Sequence, residues 1–238
     1  MRPSEIRRFA ALVFSRHGMP TAATLALIAC GSTTTSSLPS ASDSGSGSKT
    51  LYVGAELTLS SIGSGTTPVP SLSVVIEQAA RGGTSVSGAA VKLTASDGVT
   101  VTAAESATVP GSYQASGFTW EPSWHLEISS GSDHLEATVA AMGRTTITAP
   151  AQNATVPAGQ VEIQWTDGWG EKAQSTWVSP CCGQSVVDLA DTGSGFAPAI
   201  VPGGVYMIYR QDVTPLAGGV SNAFASATTS NGLYLNVQ

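Results

Sequence analysis

The chain has 238 residues, 11% of them charged, with 26 Gly, 13 Pro and a hydrophobic content of 42%, enough apolar material to exclude a wholly disordered chain. Its formal net charge is −6, but four of the ten basic residues (Arg2, Arg7, Arg8 and Arg16) and one acid, Glu5, precede residue 30. The six bases and fifteen acids that remain give −9, so the body offers no cationic footprint for nucleic acid, and no run of 18 apolar residues suggests a membrane-spanning helix.

The chain opens with a basic region, Arg2 to His17, that encloses an apolar patch, Phe9–Phe14. A short apolar stretch, Gly18 to Ala29, follows and suits the h-region of a signal peptide better than a membrane span. It ends in Leu27-Ile28-Ala29-Cys30, then Gly31-Ser32. Residues 1–30 here resemble the leader of a bacterial lipoprotein, whose lipobox is an aliphatic residue, a variable one, a small one and Cys. The resemblance implies that residues 1–29 are removed and that the Cys30 thiol is lipidated. Two or more acyl chains would then satisfy the two-signal requirement for stable anchoring. In that family Gly rather than Asp after the cysteine implies transfer to an outer membrane, where the organism has one. The basic region is longer than such leaders need, which leaves room for a start downstream of Met1.

Residues 30–49 are rich in Ser, Gly and Thr and cannot bury a core, so they read as a flexible tether. Nineteen residues after Cys30 reach roughly 22–26 Å at ~5–6 Å × √n. Gly45-Ser46-Gly47-Ser48-Lys49-Thr50 is no phosphate loop, because Asp43 and Ser48 stand where the pattern needs glycine.

From Thr50 the pattern has period two. Strands are expected at 51–59, 72–78, 90–95, 99–104, 112–118, 125–129 and 134–141. Turn signals separate them, such as Asp97-Gly98, Pro110-Gly111 and Ser130-Gly131-Ser132-Asp133. Seven short strands of this kind argue for a β-sandwich over residues 50–145. In the hairpin 125–139, Leu126, Ile128, Leu135, Ala137 and Val139 share one face, and His125, Glu127, His134 and Glu136 the other. With Asp133 nearby, His125 and His134 are the candidates for a surface metal site or a hydrolytic centre. The plainer reading is a solvated face of cross-strand pairs.

A second module is expected over residues 146–238. Pro150 marks a turn, and Val161-Glu162-Ile163-Gln164-Trp165 alternates cleanly to a tryptophan. This opening resembles bacterial Ig-like and fibronectin-III-like modules, in which a Pro-led strand precedes one ending in a buried Trp. The antibody-type cysteine pair is absent. Further strands are expected at 175–178, 185–189, 205–210, 223–228 and 233–237, and no helix longer than two turns. Asp188 and Asp191, before Thr192-Gly193-Ser194-Gly195, are a weak candidate for a calcium loop without EF-hand spacing.

Cys181 and Cys182 are adjacent. In an oxidising compartment they could form a vicinal disulfide, strained because neighbouring Cα atoms lie about 3.8 Å apart across a trans peptide. Free thiols and a link to another chain are the alternatives. Their spacing does not suit zinc.

The chain is therefore expected to be all-β: two Ig-like sandwiches behind a signal peptide and a tether. Its expected place is the cell envelope, held to a membrane by N-terminal acyl chains. Its expected role is a non-enzymatic interaction or structural module without a cofactor, its partner a protein or polysaccharide of the envelope. A carbohydrate-binding module is the alternative, with Trp120, Trp124 and Trp169 as loop aromatics for stacking.

Overall fold

Strict alternation of apolar and polar residues buries one face only if the chain is extended, and every regular element among the described residues is a strand. The computed structural model describes residues 50–62, 67–180, 186–199 and 203–238. The leader, the tether, Cys30, Cys181 and Cys182 lie outside the described residues.

The first half supplies β1 (Leu51–Ile62), β2 (Val69–Gln78), β3 (Ala90–Ala95), β4 (Thr100–Glu105), β5 (Ser112–Ser116), β6 (Ser123–Ser130) and β7 (Asp133–Ala140). These are the seven strands expected there. Gly98 and Gly131 turn the chain with positive φ, at +88° and +60°. The second half supplies β8 (Thr146–Ala149), β9 (Ala154–Val156), β10 (Gly159–Thr166), β11 (Ser175–Pro180), β12 (Val187–Leu189), β13 (Ser194–Ala199), β14 (Gly204–Pro215) and β15 (Phe224–Val237).

Three differences from expectation have physical reasons. The strands expected at 223–228 and 233–237 are one strand, β15. Asn231-Gly232 inside it looks like a turn pair, but the Asn231 side chain and the bare Gly232 backbone serve packing instead. The Asn231 carboxamide bridges two elements, and Met207 Sδ lies 2.2 Å from where a Cβ on Gly232 would stand. β13 carries Gly195 and Pro198, both poor strand residues. Among the described strands it pairs only with β10, so Pro198 has a side where no donor is required. β9 is a three-residue strand beside the far end of β15, too short to show alternation.

One sheet runs β12-β11-β14-β15-β1-β2-β5-β4-β3-β6-β7, and a second runs β13-β10-β8. At its centre β1 pairs in parallel with β15 over nine positions, Gly54↔Phe224 to Ile62↔Gly232. On its other side β1 pairs antiparallel with β2. The long sheet folds over where β4 and β5 are joined by only two pairs, Ala104↔Gln114 and Glu105↔Tyr113. Nearby, the Glu105 carboxylate accepts from Gly111 N and Gly88 N, both at 2.8 Å. Those two backbone donors hold its pKa below the usual carboxylate value.

Folding over sandwiches the first core. Leu93, Leu126, Ile128, Leu135 and Val139 on one side share a cluster with Val53, Leu57, Leu72, Val74 and Ile76 on the other. A second cluster gathers Val161, Ile163, Trp165, Val178, Tyr206, Ile208, Leu233 and Leu235. β15 feeds both, through Ala225 and Ala227 in the first and Leu233, Leu235 and Val237 in the second. Between them lies a polar layer. Thr145 Oγ1 meets Thr229 Oγ1 at 2.7 Å, both residues wholly buried. Asn231 Nδ2 donates to Ser61 Oγ at 2.7 Å, and its Oδ1 accepts from Ile147 N at 3.1 Å.

Candidate functional site

The β6–β7 hairpin buries Leu126, Ile128, Leu135, Ala137 and Val139 on one face, as the alternation predicts, and the structure adds the register. Glu127 stands opposite Glu136, His125 opposite Thr138 and Ser129 opposite His134. Two like charges directly opposed are unfavourable, and Lys92 on β3 relieves this with Nζ 3.2 Å from Glu127 Oε2. The hydrogen bond and charge of Lys92 lower the pKa of Glu127. His125 Nε2 is 3.7 Å and His134 Nε2 3.9 Å from the same oxygen, Glu136 Oε2. Each Nδ1 faces a hydroxyl, Thr138 Oγ1 at 3.4 Å and Ser129 Oγ at 3.2 Å. A metal would need ligand atoms converging within about 2.0–2.2 Å of one point. Among the described residues no three or more His, Cys, Asp or Glu are so grouped. Asp133 is turned away and accepts from Thr50 Oγ1 at 2.5 Å. The face is a network of compensated pairs.

The three candidate tryptophans have three different fates. Trp124 is 1% exposed, with Phe118 packed edge-on at 5.2 Å. It is a core residue, which corrects its assignment as a ligand contact. Trp120 is half-buried against the same core, and its indole N–H donates to Met142 O at 2.8 Å. Trp169 alone of the three is exposed, at 39%.

The turn that carries Trp169 is built from below. Asp167 Oδ1 accepts from Trp169 N at 2.9 Å and from Gly170 N, and Gly170 takes φ +84°. Gly143 passes so close that a Cβ there would lie 2.5 Å from Trp169 N. Thus the segment that holds Trp120 through Met142 also supports the Trp169 turn.

Beneath lies a group that sequence reading passed over. Arg210 on β14 is 1% exposed. It grips Asp191 with two bonds, Nε–Oδ1 at 2.9 Å and Nη2–Oδ2 at 2.8 Å, the fork geometry of the strongest ion pairs. The same Nη2 donates to Glu171 O at 2.5 Å and reaches Asp167 Oδ2 at 3.2 Å. Asp191 also accepts from Ala173 N at 2.7 Å and from the Trp165 indole at 3.4 Å. Burial pushes the Asp191 pKa up, but the Arg210 hydrogen bond and the other donors hold it below the usual range. Burial likewise opposes the Arg210 charge, and Asp191 more than restores it. A guanidinium thus fills the place a calcium ion would take at Asp191, while Asp188 is exposed on β12. The sequence does carry a signal: Arg210 keeps phase with Tyr206 and Ile208, two inward residues, in a body with few bases.

A second buried charge sits at the sheet's centre. Glu56 on β1 lies between Ser73 on β2 and Ser226 on β15. Burial raises its pKa to about 7, partly offset by a hydrogen bond with Thr228. A carboxyl of that kind can hold a proton near neutrality; on β14, burial first and the nearby Glu56 second push the Tyr209 pKa up. The tryptophan on β11, Trp177, is buried and stacks on Tyr209, ring centroids 5.2 Å apart.

The chain matches no protein-family model and no curated protein.

Proposed function

We propose that the protein is a lipid-anchored component of the cell envelope, acting as a non-enzymatic interaction or structural module. Its body consists of two Ig-like sandwiches fused along one sheet, the first core drawn mainly from residues 50–145 with Leu216, Ala223, Ala225 and Ala227 added from the second half, and the second core from residues 146–238. The observation that carries this reading is the position of β1. The strand that follows the Cys30 lipobox and the Ser/Gly/Thr-rich stretch is inserted between β2 and β15 at the centre of the sheet. A strand paired on both flanks must lose two ladders to leave the sheet, where an edge strand loses one. The Arg210 ion pair supports the same reading, because its Nε and Nη2 are taken up by Asp191, Asp167 and a backbone carbonyl rather than presented to a ligand. The rigidly mounted Trp169 is the surface aromatic it would offer an envelope polysaccharide or protein.

The test is lipidation at Cys30. Expressed in a lipoprotein-processing bacterium, the wild-type chain should incorporate labelled fatty acid, fractionate with membranes and begin at Cys30. Cys30→Ser should do none of these. A wild-type chain that carries no label overturns the anchoring.

A further inference from the structure

We propose that the β1–β15 seam is a shear clamp, which lets the body carry tension applied at Thr50. This goes beyond anchoring and is argued from the body alone.

The direction of the two strands decides how they share a load. β1 and β15 are parallel over nine pairs, from Gly54↔Phe224 to Ile62↔Gly232. The N-terminal end of β1 therefore lies beside the N-terminal end of β15, and β15 runs on to Val237 beyond the end of β1. Tension between residue 50 and residue 238 drags the two strands along their length in opposite senses. Every bond across the seam is then strained at once. Tension between residue 50 and the turn before β15 would instead open the seam from one end, and its pairs would break singly.

The seam is also reinforced beyond its backbone ladder. Ser226 Oγ donates to Ala55 O at 3.4 Å, Ser230 Oγ to Ser60 Oγ at 2.8 Å, and Asn231 Nδ2 to Ser61 Oγ at 2.7 Å. Glu56 and Thr228 add a fourth link. All four join the same two strands, so all four resist the same sliding. On its other flank β1 is held by ten pairs with β2.

The point where tension would arrive is tied down separately. Ala79 N donates to Thr50 O at 2.6 Å, Val220 N to Leu51 O at 3.0 Å, and Thr50 Oγ1 to Asp133 Oδ2 at 2.5 Å. Three segments distant in sequence thus fasten the first two residues of the body. Rupture under force is governed by the unfolding rate along the pulled direction, so the arrangement gives a direction-dependent strength that equilibrium stability does not contain.

Single-molecule pulling tests it on the full, unlipidated chain. One handle is placed at the N-terminus. The second is coupled at Gln238→Cys or at Ser221→Cys, an exposed turn position before β15, with Cys30, Cys181 and Cys182 replaced by Ser. The Gln238 geometry should rupture at severalfold higher force than the Ser221 geometry. Equal forces overturn the clamp. Ser60→Ala with Ser230→Ala should lower the rupture force in the Gln238 geometry and spare the other. Unchanged force there, or an equal loss in both directions, overturns the role of the side-chain links. Because the chain carries no lipid, neither result depends on whether Cys30 is acylated.

Discussion

Glu56 and Arg210 are both buried charges, yet the fold treats them oppositely. Arg210 has two carboxylates and a carbonyl around it. Glu56 has hydroxyl neighbours, with Ser73 and Ser226 opposite it and Thr228 bonded to it. The one keeps its charge, and the other is favoured as the neutral acid. That difference has a pH consequence. Between the ordinary carboxyl value of 4.5 and about 7, the folded chain holds a proton on Glu56 that the unfolded chain has lost. Stability from this group is complete below the lower value and falls as pH rises through the upper one, by about 3 kcal/mol in all. Glu56→Gln removes the dependence. The variant should match the wild type near pH 4 and exceed it above pH 7 in urea unfolding, and a constant difference across that range would refute the assignment. Asp191, Glu105 and Glu127, with lowered pKa values, act in the opposite sense, losing stability as pH falls. Only the difference between variant and wild type isolates Glu56. Neither environment was legible beforehand. Arg210 meets Asp191 and Asp167 across 19 and 43 positions, and a single sequence does not reveal such separations.

At the scale of elements, what could be read was whatever depends on nearest neighbours. β3, β6 and β7 alternate strictly, and their faces fell where alternation put them. The hairpin's candidate site was legible in placement, with His125, His134 and Glu136 on one face, but not in consequence, since Lys92 and the hydroxyls come from register. β15 shows the limit most plainly. Its central residues Thr228 to Asn231 are polar yet buried, because they bond to β1, β14 and Thr145 rather than to water. Polarity there looked like a break between two strands. Asn231 is the sharpest case, and Asn231→Ala tests it. The change strands a donor on Ile147 and removes the donor to Ser61, each buried or half-buried. An unsatisfied buried group costs roughly 1–3 kcal/mol, so the unfolding free energy from denaturant titration should drop by that amount, the midpoint falling while the slope stays unchanged. A loss of only a few tenths would mean that water replaces the carboxamide and that the polar layer is not closed.

For the whole molecule, the question is whether two cores make two folding units. Composition and motif divided the chain at residue 145, and two clusters do form. The strands that line them, however, are not divided. β14 and β15 pair over twelve positions, from Gly204↔Leu235 beside the second cluster to Pro215↔Phe224 beside the first. Breaking the second core would therefore expose one end of the strand that supports β1. Because independent modules joined by a linker share no ladder, they can melt separately; these two share their longest one. Leu126 and Ile163 are fully buried, one in each cluster. Leu126→Ala and Ile163→Ala should each cost about 2–5 kcal/mol, and each should shift one common calorimetric transition whose van't Hoff and calorimetric enthalpies agree. If either variant instead splits the endotherm and leaves one component at the wild-type temperature, β15 joins the halves without coupling them. Coupling along β15 would also bear on force, since a clamp between β1 and β15 can be no stronger than the sheet that keeps β15 straight.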